Sequence, residues 1–167
     1  KNPISRNLAF KVKRQYEQLK LTLSIAAANN LLGNIDLQDE NYDSAKYYYN
    51  LSLSAYELAK DERGIAACLF NISLVDIETG DLEIALNNQL KALVIEQKIG
   101  NKVGEIISYN SLGELYQLMG NFTLTETSLL QANQLLKETT SLYHENQNLR
   151  NLANFYTLTA NNQKAVQ

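Results

Sequence analysis

Shifted by 40 residues, the sequence matches itself without a gap, and this period constrains the fold more than any other feature. Leu32, Ile72, Leu112 and Leu152 fall in one column, Gly33, Ser73, Gly113 and Ala153 in the next, and Ala45, Ala85, Thr125 and Ala165 in a third. Further columns hold Glu40, Gly80, Gly120 and Ala160, then Asn41, Asp81, Asn121 and Asn161, then Tyr42, Leu82, Phe122 and Asn162, and later Ser52, Ala92 and Ala132. A fixed period of this size arises when copies of one supersecondary unit stack, each burying a face that it cannot bury alone. An antiparallel helical bundle also has amphipathic helices and short loops, but it needs no translational repetition.

The repeating unit reads as helix. One proline, Pro3, and seven glycines leave little turn punctuation in 167 residues, while 45% hydrophobic and 20% charged residues suffice for a buried core. With a single cysteine there is no internal disulfide framework, and the apolar neighbours Ala67, Leu69 and Phe70 mark Cys68 as a small buried hydrophobe. The longest apolar run, LTLSIAAA at 21–28, is far short of the roughly 18 residues of a membrane span, and no leader pattern opens the chain. The opening KNPIS, without an initiator Met, reads as an excised domain, and the compartment stays open between the cytoplasm and a periplasmic sensory region.

Each column has a physical job in a helix-turn-helix unit. The small residue at Gly33, Ser73, Gly113 or Ala153 lets the first helix of a pair approach the second, with Ala45, Ala85 and Thr125 as the matching small side. Gly120 is placed to take the left-handed conformation at a helix end, and Asn121 to cap the next helix, a role that Asp81 and Asn41 repeat. Tyr42, Leu82 and Phe122 then plug the corner. Helices are expected near 4–18, 21–38, 42–59, 62–79, 82–98, 102–119, 122–138 and 142–159, with another starting near 162.

The segments NNLLGNIDLQDENYDSAKYYYNLSLSAYELA, LFNISLVDIETGDLEIALNNQLKALVIE and YNSLGELYQLMGNFTLTETSLLQAN, with the shorter LRNLANFYTLTANNQKAV, resemble the tetratricopeptide repeat. The period exceeds the roughly 34 residues of the common repeat, the closing proline is missing, and Ser73, Thr125 and Gln89 depart from the pattern. The resemblance implies an all-α right-handed superhelix of antiparallel helix pairs. It divides the chain into a helix from a preceding repeat (1–20), repeats at 21–60, 61–100 and 101–140, and a partial repeat at 141–167. The phrasing of the third repeat is most similar to long repeats of bacterial signalling proteins, upstream of histidine kinases or DNA-binding output domains, and is also similar to kinesin light chains and spindle-orientation adaptors.

Function in such an array lies on its surfaces. In the resembling family the inward positions of the first helix map here onto Asn30, Leu31 and Asn34, then Phe70, Asn71 and Leu74, then Asn110, Ser111 and Glu114, then Arg150, Asn151 and Asn154. Of these, Asn30, Asn34, Phe70, Asn71, Asn110, Glu114, Arg150, Asn151 and Asn154 are the candidate peptide-binding residues. An asparagine amide both donates and accepts, so a ladder of them can pair with the backbone of an extended peptide. The bland alternative is that asparagine is abundant throughout, Asn87, Asn88, Asn146 and Asn148 included, and that these positions are merely solvated. With Arg150 the only basic residue on this face, a clamp for a C-terminal carboxylate is disfavoured.

The expected partner is a protein or peptide, with dimerisation through the convex face or the open ends as the structural alternative. No catalytic, cofactor or metal site is expected: HENQN at 144–148 has Asn148 where a zinc-protease helix needs a second histidine, and phosphate-binding and nucleophile-elbow motifs are missing. Residues 1–20 carry Lys1, Arg6, Lys11, Lys13, Arg14 and Lys20 against Glu17, in a chain of net charge −3. This reads either as a solvated helix face or as a docking stretch for an acidic partner or membrane surface; neither nucleic-acid binding nor membrane insertion is expected. In YYY at 47–49, Tyr49 falls in the core column, leaving Tyr47 or Tyr48 as a surface anchor. Sequons at Asn50, Asn71 and Asn121 read as chance in an asparagine-rich chain.

Overall fold

The computed structural model describes residues 3–18, 22–139 and 141–165, and these form helices joined by short turns. The helices are α1 (Pro3–Gln18), α2 (Thr22–Gln38), α3 (Tyr42–Ala59), α4 (Glu62–Glu78), α5 (Leu82–Ile99), α6 (Lys102–Leu118), α7 (Phe122–Leu136) and α8 (Leu142–Ala165). The first seven begin and end within two residues of the expected positions. The eighth departs: α8 runs on to Ala165 with no break near 160. At the turn position of this repeat stands Ala160, a strong helix former, where the two preceding repeats have Gly80 and Gly120. The side chains of Asn161, Asn162 and Ala165, the last members of their columns, lie outside the described residues, as do Lys1 and Lys20 of the basic stretch.

The turns follow one backbone rule. Glu40, Lys60, Gly80, Gly100 and Gly120 all have positive φ, between 55° and 85°, so a left-handed residue closes a helix every twenty positions. Glycine takes this conformation freely, whereas Glu40 and Lys60 hold it against steric cost. The residue that follows starts the next helix. The side chains of Asp61, Asn101 and Asn121 accept from the backbone N–H of Gly64, Gly104 and Leu124 at 3.2, 3.3 and 3.2 Å. Asn41 was expected to do the same and makes no such bond. Its ψ of 68° falls short of the 78° to 90° of the three residues that cap.

The chain divides into two compact units, Lys1–Ile95 and Glu96–Gln167, with α5 running across the division. In the first unit α1 packs on α2, α2 on α3 and α3 on α4, and α2 also touches α4. In the second, α6 packs on α7 and α7 on α8, and α6 also touches α8. Below, α2, α4, α6 and α8 are the A helices and α1, α3, α5 and α7 the B helices. The small-residue column has the role expected of it: a Cβ on Gly33 would lie 2.5 Å from Cε1 of Tyr49, and one on Gly113 2.6 Å from Cδ2 of Leu129. Tyr49 is fully buried and centres a core with Ala45, Ile72 and Val75, while Ile106, Ala132 and Leu136 form a core of the second unit.

Buried acids add a link between repeats that the sequence reading did not find. Asp36 and Asp76, one period apart on A helices, are both fully buried. Asp36 pairs with Arg6 of α1 and accepts from the Ser44 hydroxyl. Asp76 pairs with Lys46 of α3 at 2.6 Å and accepts from the Asn88 amide at 3.0 Å. Arg6 and Lys46 are themselves one period apart, so the same cation–acid link is used twice, each time from a B helix to an A helix 30 residues further along. In the second unit, at the equivalent positions, Tyr156 donates its hydroxyl to Glu126 at 2.9 Å. Arg6 thus spends its charge inside the repeat stack and is not simply part of a solvated basic face.

Candidate functional site

The A helices of each unit bring the sequence-predicted residues into hydrogen-bonded groups. In the first unit, the Asn71 amide donates to the Asn30 side-chain oxygen at 2.7 Å, joining α4 to α2, and the Asn30 amide points at Sγ of Cys68 at 3.9 Å. The Asn34 side-chain oxygen accepts from the Tyr49 hydroxyl at 2.8 Å. Asn34 is exposed, while Asn30, Phe70 and Asn71 are half-buried. An inter-helix amide ladder therefore exists here, but much of its bonding capacity is turned inward. Cys68 has the packing role expected of it: it is fully buried, burial raises its thiol pKa, and its thiol donates to the Ser52 hydroxyl at 3.2 Å.

The second unit separates the predicted residues into two groups. Asn110 is 1% exposed and Asn151 7% exposed, so neither has the open position expected of it. The Asn148 amide donates both to the Asn110 side-chain oxygen at 2.7 Å and to the Leu129 carbonyl at 2.9 Å, tying α8 to α6 and α7. A buried polar group needs a partner, and the Asn148 amide supplies one to the Asn110 side-chain oxygen. Asn148, which the bland reading would leave solvated, is fully buried. Asn151 donates to a Glu114 carboxylate oxygen at 2.7 Å, which fixes the Glu114 side chain while leaving its second oxygen available.

Around that bond the A helices open into a cavity of about 420 Å³ lined by Glu114, Gln117, Leu129, Arg150, Asn151 and Asn154. Four of the nine predicted residues line this one space. Glu114, Arg150 and Asn154 are exposed, so a cation, a carboxylate and an amide face solvent above the buried Leu129. Gln117 belongs to the site and was not predicted. It lies three residues beyond Glu114, one helical turn along the same face, and that spacing was the available signal. A second cavity of about 540 Å³ in the first unit, between Arg6, Tyr42, Ser44 and Thr79, contains none of the predicted residues.

Among the described residues, no group of three or more His, Cys, Asp or Glu side chains is placed to hold a metal ion, and no helix is long and apolar enough to cross a membrane. His144 is half-buried at the start of α8, edge-on to the Tyr143 ring at 5.1 Å between centroids.

No family model and no curated protein matches the chain. Solved structures do. BtubC (BKLC) from P. vanneervenii superposes with a TM-score of 0.82 at 18% identity, covering 96% of this chain and 67% of that one. Two structures of nearly identical TPR-like repeats from a protein of Podosopora anserina assigned as a kinesin light chain superpose with TM-scores of 0.74 and 0.68. Their identities are 14% and 13%, over 96% and 98% of this chain and 79% and 92% of those. At such identities the likeness speaks for the backbone, and it agrees with the 40-residue columns and the adjacent packing of successive helices. The fold of this chain is that of the tetratricopeptide-like helical repeats.

Proposed function

We infer that this chain is a non-catalytic protein-interaction scaffold that holds an extended segment of a partner protein against its A helices, at the cavity lined by Glu114, Gln117, Arg150, Asn151 and Asn154. The cavity carries the reading: charged and amide side chains from two A helices line it and face open solvent, as a peptide with exposed backbone groups requires. In the first unit Asn34, Phe70 and Asn71 offer a surface of the same kind. Repeats of this fold serve in general as protein-binding scaffolds, which supports the reading. The similarity of the third repeat to long repeats of bacterial signalling proteins further supports a place in the regulatory region of such a protein.

The test is selection of binding peptides from a random library on the wild-type chain, followed by mapping of the selected peptide by backbone NMR shifts. Binding should move resonances of α6 and α8 and be weakened about tenfold or more by Arg150→Ala/Asn154→Ala, two exposed positions whose loss leaves the core intact. Shifts confined to other helices, or full binding by the double variant, would place the peptide elsewhere. Asn110→Ala is the wrong probe, because it removes a buried hydrogen-bond acceptor and acts on stability.

A further inference from the structure

The repeat provides its own control for what a B-helix surface requires. Positions 87, 91 and 98 are Asn87, Lys91 and Lys98, and one period later come Thr127, Gln131 and Glu138, all exposed and all polar. The same positions on α3 are Tyr47, Leu51 and Leu58, which are 60%, 36% and 81% exposed. Spaced four and seven residues apart, they lie along one face of α3 over about 16 Å at 1.5 Å per residue, with Ser54 and the half-buried Ala55 between Leu51 and Leu58. The fold does not require apolar residues here, since two equivalent helices do without them. Exposed apolar side chains aligned on one face, at positions where the equivalent helices are polar, point to an interaction site.

The stripe is continuous with α1. The Tyr47 ring meets Tyr48 edge-on at 5.3 Å, and Tyr48 meets Phe10 edge-on at 6.1 Å, with Phe10 itself 40% exposed. Lys13 lies over the Tyr48 ring at 5.4 Å, and Lys11 and Arg14 are exposed on the same helix. In a chain of net charge −3, α1 holds four cations against Glu17. On α3 itself the exposed Asp43 lies one turn before Tyr47, and Glu57 and Lys60 offset each other near Leu58, so the balance beside Tyr47 and Leu51 is positive through Lys11, Lys13 and Arg14 of α1.

We propose that Tyr47, Leu51 and Leu58, with Lys11 and Arg14 at one edge, dock an amphipathic helix bearing acidic residues from a partner protein. Charge complementarity with α1 selects the acidic edge. The surface selects a helix because Tyr47, Leu51 and Leu58, unlike the amide side chains on the A helices, offer nothing to pair with the backbone of an extended strand, so the partner must bond its own backbone. A stripe of about three turns fits anchors at i, i+4 and i+11 on such a helix. With Arg6 paired to Asp36 and Lys13 over Tyr48, the exposed cations among the described side chains of α1 are Lys11 and Arg14, short of the roughly four to eight of a cluster that reads anionic lipid. This surface lies on B helices of the first unit and shares no residue with the A-helix cavity of the second.

The test uses a fluorescein-labelled 18-residue peptide of leucine and glutamate, with leucine at helical spacing, in anisotropy titrations against the whole chain. The proposal expects saturable binding that weakens with salt. It expects a loss of about tenfold or more in Tyr47→Thr/Leu51→Gln/Leu58→Gln, whose first two replacements are those that α7 already carries. Lys11→Gln/Arg14→Gln should weaken binding severalfold and flatten the salt dependence, and Arg150→Ala/Asn154→Ala should leave it unchanged. Circular dichroism checks that each variant is folded. Several results would overturn the proposal: no binding, equal binding by the triple variant, equal binding of a peptide with lysine in place of glutamate, or sedimentation with phosphatidylserine–phosphatidylcholine vesicles in place of peptide binding. Self-association of the wild type that the triple variant abolishes would also overturn it, by making the stripe a contact between copies.

Discussion

Lys46→Met tests the link between repeats most directly. Asp76 is fully buried, with one carboxylate oxygen 2.6 Å from Nζ of Lys46 and the other 3.0 Å from the Asn88 amide. Removing the ammonium leaves a carboxylate in the core with a single neutral donor. Breaking a buried pair in this way costs about 3 to 5 kcal/mol. The Lys46 side chain is 38% exposed, so water already screens its end of the pair and the lower figure, about 3 kcal/mol, is expected. For a chain of this size that lowers Tm by about 6 to 12 °C. Asp76→Leu should cost less, about 1 to 2 kcal/mol, because the freed lysine can turn to solvent and only Asn88 loses a partner. Lys46→Met/Asp76→Leu removes the desolvated charge altogether and should lie within about 1 kcal/mol of wild type. Urea unfolding of the four proteins, followed by far-ultraviolet circular dichroism, closes the cycle. A coupling energy below about 0.5 kcal/mol, or a double variant no more stable than Lys46→Met, would refute the claim that this pair acts as a buried unit.

Three further outcomes follow from the turns, the core and the buried thiol. Gly120→Ala should cost about 1 kcal/mol and Lys60→Gly should gain up to about 1 kcal/mol, since both sites have positive φ and a Cβ at 120 meets nothing within 4 Å; thermal melts showing the same sign for both would contradict this. Ala85→Leu should overfill a fully buried site at a cost of about 1 to 3 kcal/mol, whereas Glu83→Leu on the exposed side should change stability by less than about 0.5 kcal/mol, as chemical denaturation would report. Cys68 and Tyr49 both have acid groups whose pKa burial raises, so the unfolded chain ionises first; stability is fully present below their unfolded pKa values and falls as pH climbs through about 8.5 to 10. Thiol labelling of the native chain should accordingly be about a hundredfold slower than in urea, and rapid native labelling would show Cys68 to be accessible.

The sequence by itself determined the repeat, the helix boundaries and the close helix pairing, because each is written in local chemistry or in size. Gly120 needs no partner to end a helix, and Gly33 announces a close approach simply by lacking a side chain. Ala160 carried the same kind of local signal, and its helix-forming preference prevails where repeat analogy implies a break. Only the tertiary structure decided which polar residues face inward. Asn110 and Asn154 look alike in sequence, yet one is buried against Asn148 while the other lines an open cavity. The partners of Asp36 and Asp76 lie 30 residues earlier, on a helix whose side chains reach them only when the repeats stack. Whether a polar side chain is buried depends on what the neighbouring helices place against it, so its role is a property of the stack and not of its own position in the period.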